Sequence, residues 1–341
     1  MSFFFVFLRI FVRKVYNVLT FFISLHSKTK TRVMMKKEII AILWLLVSLT
    51  ACEKSLSEDV RDEAGLSADA NVVLHLNHYE IEGFDVSRSV GQQMTPKTMT
   101  RATGDITTFC TRLNVAVFSS DGTKVKTAAQ KEGDEGFGTV GLTLATGTYR
   151  LVVMAHSCDG SATITSEDRV SFPNNKMTDT FYYYGDLVVS EKRQTLDLTL
   201  RRAVAMFRLE LTDTSTPSSV ARLRFYYTGG SSTFSPRDGY GCVKSKQTEF
   251  RPVSEDGVYE IYTFPHSEED VLTKLVITTL DADDNALTEH ELENIPIVRN
   301  RVTRYTGSLF GTGGESTGTM GNNDVRVSAD PDWAGTDTYV F

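Results

Sequence analysis

The sequence lacks the motifs of enzymes and nucleotide-binding proteins: it has no phosphate-binding loop, no nucleophile elbow and no dinucleotide fingerprint. His75 and His78 lie three apart in a predicted strand, which places them on opposite faces, where they cannot share a metal. Residues 281–285 begin like a calcium loop, but Ala286 and Leu292 stand where that loop needs Gly and Glu. A solvated hairpin turn is the better interpretation. We therefore predict no catalytic residue, no metal site and no cofactor, and a protein that is not an enzyme.

Basic residues are scarce in the main part of the chain. From Cys52 to the last residue there are 28 Lys and Arg against 42 Asp and Glu, a net charge of −14. Such a charge repels phosphate backbones, and no Lys/Arg block stands out against it, so we exclude nucleic acid as a partner. The 41% hydrophobic and 23% charged residues are ordinary for a globular protein, which argues against general disorder.

No apolar run is long and clean enough to predict a membrane-spanning helix, yet one short run has the pattern of an export signal. Lys36 and Lys37 precede the apolar residues 39–49, and Leu-Thr-Ala-Cys at residues 49–52 resembles the bacterial lipobox. In a lipobox the cysteine is acylated and the peptide bond before it is cut. The sequence thus predicts a signal peptide over residues 34–51 and a lipid on Cys52. The alternative is an ordinary free or disulfide-bonded cysteine.

The lipid predicts a durable tether. At about 0.8 kcal/mol per buried methylene, two or three acyl chains such as palmitate anchor a protein essentially permanently. Residues 52–70 are polar and are predicted to form a flexible spacer from the lipid surface. Residues 1–33 are apolar but interrupted by basic residues, so we expect translation to start at Met34 or Met35 and residues 1–33 to be non-structural.

From residue 71 onward, apolar and polar residues alternate with a period of two, which predicts half-buried strands. The clearest alternation lies at residues 72–76, 113–117, 149–155 and 195–201. The phase changes between Leu200 and Ala205, and a strand cannot change its buried face without a bulge or a break. We therefore predict an all-β protein with two tandem antiparallel β-sandwich domains, at residues 71–201 and 202–310.

Residues 311–341 follow as a tail. Residues 311–318 are rich in Gly, Ser and Thr and predict a flexible linker. The tail then ends with Trp333, Tyr339 and Phe341, a large aromatic content for a segment that has no core of its own. We expect it to pack either back onto this chain or onto a partner.

Three cysteines remain besides Cys52, namely Cys110, Cys158 and Cys242. Cys110 opens one predicted strand and Cys158 closes another, so antiparallel neighbours would place them at the same end of a sheet. A disulfide between Cys110 and Cys158 is one hypothesis. Three buried thiols are the other.

Four segments, together with the lipobox, resemble the fimbrillin superfamily of Bacteroidales-type (type V) pili, whose major pilins and FimB-type anchors are exported lipoproteins. They are residues 113–122 (LNVAVFSSDG), 146–155 (TGTYRLVVMA), 198–211 (LTLRRAVAMFRLEL) and 295–310 (IPIVRNRVTRYTGSLF). The resemblance covers roughly residues 72–310. It implies that the two sandwiches are transthyretin-like, that the protein lies at the cell surface on the outer membrane, and that its partners are other fimbrial subunits.

The resemblance also implies a processing step. In polymerising members an arginine-specific protease removes the lipidated N-terminus with the first strand, and the open groove accepts a strand from a neighbouring subunit. The matching position here is Arg101-Ala102, in a polar stretch after the first predicted strand. A chance tripeptide in a loop is the alternative. Residues 324–341 are a candidate donor strand, whereas an anchor would keep both its lipid and its first strand.

The sequence therefore predicts a structural subunit of a cell-surface fimbrium, either the membrane anchor or a minor or major pilin, with a host or bacterial surface ligand as a further candidate partner. The alternative is a surface glycan-binding lipoprotein. In that case an exposed aromatic platform is expected, formed by Tyr182, Tyr183 and Tyr184 or by Trp333. In a fimbrial subunit these aromatics are expected in cores or at subunit contacts.

Overall fold

Strands form nearly all the regular structure in the computed structural model of the chain, which describes residues 66, 69–81, 102–310, 326–328 and 333–341. Among these residues the helical elements are two short 3-10 turns, Ile106–Thr108 and Pro173–Asn175. The predicted all-β class is confirmed. The described residues belong to one compact unit, Val60–Phe341. The predicted signal peptide, Cys52 and Arg101 lie outside the described residues.

The strands are numbered in chain order. The first ten are β1 (Val72–Ile81), β2 (Ala102–Asp105), β3 (Arg112–Ser119), β4 (Lys124–Lys131), β5 (Thr139–Leu142), β6 (Gly147–His156), β7 (Thr163–Ser166), β8 (Arg169–Ser171), β9 (Phe181–Val189) and β10 (Gln194–Arg202). The others are β11 (Ala205–Leu211), β12 (Arg222–Ser231), β13 (Thr233–Ser235), β14 (Tyr240–Gly241), β15 (Lys244–Pro252), β16 (Val258–Thr263), β17 (Asp270–Leu280), β18 (Ala286–Ile297), β19 (Val302–Gly307), β20 (Arg326–Ser328) and β21 (Thr336–Val340).

Eight of the ten strands before residue 203 form one sheet, in the order β2-β1-β10-β9-β6-β3-β4, with β5 also paired to β1. One face of this sheet encloses a first hydrophobic core of residues from β1, β3, β5, β6, β9 and β10. The predicted turn at Asp121-Gly122 joins β3 to β4 as a hairpin, and Gly122 has a φ of +81°, which glycine adopts without strain.

Nine of the eleven described strands after residue 204 form two further sheets. One has five strands in the order β16-β11-β19-β21-β20, and the other has four in the order β15-β12-β17-β18. Their facing side chains make a separate core. The predicted hairpin at residues 281–285 joins β17 to β18, where the Asp281 carboxylate accepts hydrogen bonds from the backbone N–H groups of Asp283 and Asn285.

A small sheet in the order β14-β13-β8-β7 joins the two halves, since β7 and β8 precede residue 202 and β13 and β14 follow it. It covers the outer side of β3 and β6, which the sequence predicts to be half-buried. That prediction is wrong for these two strands: Ala116, Val152 and Met154 are fully buried, because this sheet, Phe234 and other side chains form a third core over them.

Buried polar groups in the third core are paired. Asn114 Oδ1 accepts a hydrogen bond from the Ala162 N–H and lies 2.9 Å from His156 Nε2, while the Cys158 N–H donates to His156 Nδ1. This arrangement suits a neutral imidazole with its proton on Nε2. Burial, with a smaller contribution from Arg112, lowers the pKa of His156 to about 4.

The change of alternation phase after Leu200 coincides with a change of sheet. β10 ends at Arg202 in the eight-stranded sheet, and β11 begins at Ala205 in the five-stranded sheet. The predicted division into domains at residues 201 and 202 stays a prediction. Most strand pairs are antiparallel as predicted, but β1 with β10, β11 with β19, and β19 with β21 are parallel.

Candidate functional site: the groove that holds the first strand

Strand β1 has hydrogen-bonded neighbours along both of its edges. On one side β10 runs parallel to it, from the pair Val72–Gln194 to the pair Glu80–Arg201. On the other side β5 pairs antiparallel with residues 72–75 and β2 with residues 78–81. The first strand in the chain is therefore an interior strand, and we call the space between its neighbours the β1 groove.

Side chains of β1 fill the β1 groove. Val72, Leu74 and Leu76 are fully buried in the first core, and Tyr79 is almost fully buried with its ring centre 4.8 Å from that of Phe181. Fully burying a large apolar side chain stabilises a fold by about 1.5–3 kcal/mol, so these four contribute roughly 6–12 kcal/mol before the entropy cost of ordering them. The groove without its strand would expose a long apolar surface.

Two glycines allow β1 to fit closely. A Cβ on Gly104 in β2 would lie 2.2 Å from Cε1 of Tyr79, so only glycine leaves room for that ring. Gly138 has a φ of +97°, and its carbonyl oxygen accepts a hydrogen bond of 2.7 Å from the Leu76 N–H. A Cβ there would lie 2.0 Å from Asn77 Oδ1. The groove walls are thus shaped to this strand.

The connection from β1 to β2 contains the predicted processing position. Ile81 at the end of β1 pairs with Ala102 at the start of β2. Arg101 lies outside the described residues, immediately before β2. A cut between Arg101 and Ala102 would therefore leave β2 in the sheet with a new N-terminus and leave β1 held by non-covalent contacts alone.

Arg202 at the end of β10 is a buried charge that contacts several elements. Its side chain is 1% exposed, and its guanidinium donates two hydrogen bonds to the Asp179 carboxylate, at 2.8 and 2.9 Å, and one of 2.9 Å to Asn300 Oδ1. The guanidinium carbon lies 5.7 Å from the ring centre of Tyr79 and 3.9 Å from that of Trp333. One side chain thus touches both β1 and the C-terminal tail.

The sequence analysis missed Arg202, although a signal for it was present. In the alternation of residues 195–201 every even position is apolar, and position 202 continues that phase onto the buried face. The alternation alone therefore predicts that the Arg202 side chain points inward. It does not predict the partners Asp179 and Asn300, which lie far from Arg202 in the sequence.

The C-terminal tail packs back onto this chain. β21 runs parallel to β19, the Tyr339 ring stacks on Tyr305 with 5.0 Å between centres, and Asp337 lies 2.7 Å from the Arg301 guanidinium. β20 pairs with the other edge of β21. Of the two placements expected for the tail, packing onto this chain or onto a partner, the structure shows the first for the described residues. The role of residues 324–341 as a donor strand stays a prediction.

The aromatics named as a candidate glycan platform are largely enclosed. Tyr182 is 5% exposed and its hydroxyl accepts a hydrogen bond from Arg299, while Trp333 is 7% exposed beneath Arg202. Tyr183 is half-buried against the first core, and the Tyr184 hydroxyl donates to the Glu167 carboxylate at 2.6 Å. Tyr182 and Trp333 therefore form no exposed platform, and Tyr183 and Tyr184 are only partly exposed.

Cys110, Cys158 and Cys242 are free thiols in the structure, so the hypothetical Cys110–Cys158 disulfide is not formed there. Cys110 Sγ lies 4.0 Å from the carbonyl oxygen of Asp179, and Cys158 Sγ donates to that of Lys176 at 3.2 Å. Burial raises the pKa of both thiols. The hypothesis of three buried thiols fits Cys110 and Cys158 but not Cys242, which is exposed.

Within the described ranges, no three His, Cys, Asp or Glu side chains are grouped so that they could hold a metal ion. No helix among the same residues is long and apolar enough to cross a membrane.

Comparisons with solved structures give several bacterial proteins of similar fold. A candidate polysaccharide-binding protein from Bacteroides thetaiotaomicron has 14% identity and a TM-score of 0.40, with 56% of this chain and 75% of that chain covered. The fimbrial anchor protein Mfa2 from Porphyromonas gingivalis has 11% identity and a TM-score of 0.35, over 65% of this chain and 82% of that one. The C-terminally truncated tip fimbrial protein Mfa3 from the same organism has 11% identity and a TM-score of 0.34, with 69% of this chain and 94% of that chain covered.

These neighbours include fimbrial proteins of the group that the sequence resemblance indicates, but at such TM-scores they carry no conclusion about what this chain does. A search of curated proteins gave no match. The model of one protein family, described as a family of unknown function (DUF6562), matches residues 80–340. Because this match spans well over half of the sequence, the chain belongs to the family DUF6562.

Proposed function

We propose that this protein is a non-catalytic structural subunit of a cell-surface fimbrium, held at the outer membrane by lipid on Cys52 and assembled by strand exchange in the β1 groove. It is the membrane anchor if the chain stays whole, and a minor or major pilin if it is cut after Arg101. Its partners are then other subunits of the same fibre.

The observation that carries the proposal is the position of β1. It is paired on both edges, it fills the first core with four buried side chains, and it is covalently joined to the rest of the fold through residues 82–101. A cut in that connection turns an interior strand into a bound peptide. An extended segment from another subunit could then take its place, with backbone hydrogen bonds giving affinity and alternate side chains giving fit.

The order of features along the chain supports the same scheme. The lipidated Cys52 precedes β1, and Arg101 follows it. A single cut after Arg101 therefore separates both the lipid and β1 from everything that begins with β2. This links release from the membrane to opening of the groove, since neither can occur by that cut without the other.

The test is the N-terminus of the protein in a fibre fraction sheared from cells that express the full chain. Acylated Cys52 at the base of fibres is expected for an anchor, and a free Ala102 is expected for a processed pilin. Arg101→Ala should abolish the Ala102 terminus and keep the chain in the membrane. The matched control, Lys97→Ala, removes a charge from the same connection. It should change neither the N-terminus of the protein nor the amount held in the membrane.

Absence of the protein from both the fibres and their membrane-attached bases would contradict the proposal. Retention of the Cys52→Ser variant in the membrane without an acyl chain would also contradict it, because the tether would then have another origin.

A further inference from the structure

The outer face of the four-stranded sheet β15-β12-β17-β18 carries a polar and aromatic hollow. On β12, Leu223, Phe225 and Tyr227 point into the core, so Arg224 and Tyr226 point outward. The strand register places Arg224 between Phe250 and Thr278. In the next row it places Tyr226 between Thr248 and Val276.

All of these side chains except that of Thr278 line a hollow of about 500 Å³, which is within the range of small-ligand sites. Its floor is the sheet itself, and Glu289 on β18 and Lys274 on β17 form part of its wall. None of its strands belongs to the β1 groove, so the hollow is independent of the proposed fimbrial assembly.

Arg224 is the unusual group in this hollow. Its Nη2 donates a hydrogen bond of 3.0 Å to Thr278 Oγ1, but its buried Nε has no hydrogen-bond partner. No carboxylate of the described residues forms an ion pair with it. By contrast, Arg222 on the same strand pairs with Asp284, and Lys274 pairs with Glu291 at 2.5 Å. The buried Nε is out of reach of a ligand, but a half-buried guanidinium that lines the hollow and has no paired carboxylate attracts an anion, most effectively a carboxylate.

The surroundings of Arg224 restrict the kind of anion. Phe250 is 45% exposed beside it, with the Arg222 guanidinium 5.1 Å from the centre of its ring, and Tyr226 is the next outward residue of the strand, so a sugar ring can rest against Tyr226 and the remaining surface of Phe250. The Thr248 hydroxyl can donate a hydrogen bond to a sugar hydroxyl or accept one from it. The Glu289 carboxylate in the wall of the hollow opposes negative charge and therefore weakens the binding of an anion.

From this combination we infer that the hollow binds an acidic saccharide, with one sugar carboxylate on Arg224, the sugar ring against Tyr226 and Phe250, and a sugar hydroxyl on Thr248. An acidic peptide offers the carboxylate but neither the rigid ring nor the hydroxyls. The site would give the subunit a surface ligand of its own.

The test is titration of the detergent-solubilised full chain with trigalacturonic acid and with its carboxyl-reduced, neutral form, followed by calorimetry or ligand-observed NMR. The acidic form should bind saturably and the neutral form at least tenfold more weakly. Arg224→Gln should lower the affinity for the acid at least tenfold, and Tyr226→Ala should lower it severalfold. Lys126→Gln, which removes an exposed charge from β4, should leave it unchanged.

Glu289→Gln should change the affinity for the acid in the opposite direction from Arg224→Gln and Tyr226→Ala. It removes the repulsive carboxylate and should strengthen binding of the acid severalfold, an outcome that misfolding cannot produce. The inference is overturned if the acid does not bind saturably, if the neutral form binds as well, or if Arg224→Gln changes nothing in a chain with an unchanged melting temperature. Equal binding of a glutamate-rich peptide overturns it as well.

Discussion

The guanidinium of Arg202 stacks on the indole ring of Trp333, with its central carbon 3.9 Å from the ring centre, although 131 positions separate the two residues in the sequence. Arg202 ends the last strand of the eight-stranded sheet, and Trp333 belongs to the C-terminal tail. The same guanidinium is held by Asp179 and lies near Tyr79 of β1. The tail, the end of β10 and the first strand thus meet at one buried cation.

Replacing Arg202 should destabilise the fold strongly. Arg202→Met removes the guanidinium that pairs with the Asp179 carboxylate, which is 16% exposed, and breaking a buried ion pair in this way costs about 3–5 kcal/mol. Arg202→Lys keeps the charge but loses the two-pronged contact and should lose less. The measurement is the free energy of unfolding by denaturant titration. Lys192→Met, at an exposed position, is the control and should change it by less than about 0.5 kcal/mol.

Gly104 should not tolerate a side chain while Tyr79 is present. Gly104→Ala brings a methyl group to 2.2 Å from Cε1 of Tyr79, so β1 or β2 must shift, at a cost of about 1–3 kcal/mol. The double variant with Tyr79→Leu should recover part of that loss, since the ring is gone. A double-mutant cycle measures this coupling. Strictly additive effects would mean that the two residues do not meet in solution.

His156 should make the fold less stable in mild acid. Its pKa in the folded protein is about 4, below the value of about 6.5 of an unfolded chain, so between these values the unfolded state binds more protons. The free energy of unfolding therefore falls as the pH drops from about 6.5 to 4, by up to about 1.4 kcal/mol per pH unit. His156→Asn should be less stable at neutral pH but should lack this component. Parallel pH profiles of the two chains would contradict the assignment.

The three thiols should differ in reactivity. Cys242 is exposed, whereas Cys110 and Cys158 are buried, so iodoacetamide should label Cys242 in the folded protein and the other two only after unfolding. Peptide mass spectrometry without reduction measures both labelling and crosslinks. A peptide joined through Cys110 and Cys158 would revive the disulfide hypothesis and contradict the free thiols of the structure.

The sequence predicted most of the local structure because a strand with one solvated face leaves a period-two pattern. Residues 195–201 alternate as predicted in β10, and turns such as Asp121-Gly122 fall where expected. The pattern failed at β3 and β6, since small apolar residues such as Ala116 are compatible with either an outer or an inner face. Only the third core, built from distant segments, decides between them.

The candidate site could be predicted only in part. The first strand and its apolar residues are visible in the sequence, but its insertion beside β10 depends on contacts between residues more than 100 positions apart. The same limit applies to Arg202. The alternation predicts that its side chain points inward, but it does not predict the residues that bind it. The hollow around Arg224 needs three neighbouring strands in register, which no local pattern specifies.

The most direct test of the central claim, that β1 is an exchangeable strand in a preformed groove, is a peptide-exchange measurement. A unique protease site replaces residues 97–101 of the full chain, the chain is cut, and a fluorescent peptide of residues 70–81 is added while circular dichroism monitors the fold. We expect saturable uptake of this peptide, and none of a control peptide carrying Leu74→Asp and Leu76→Asp, because those positions are fully buried in the groove. No uptake of the native peptide, or equal uptake of both, would contradict the account.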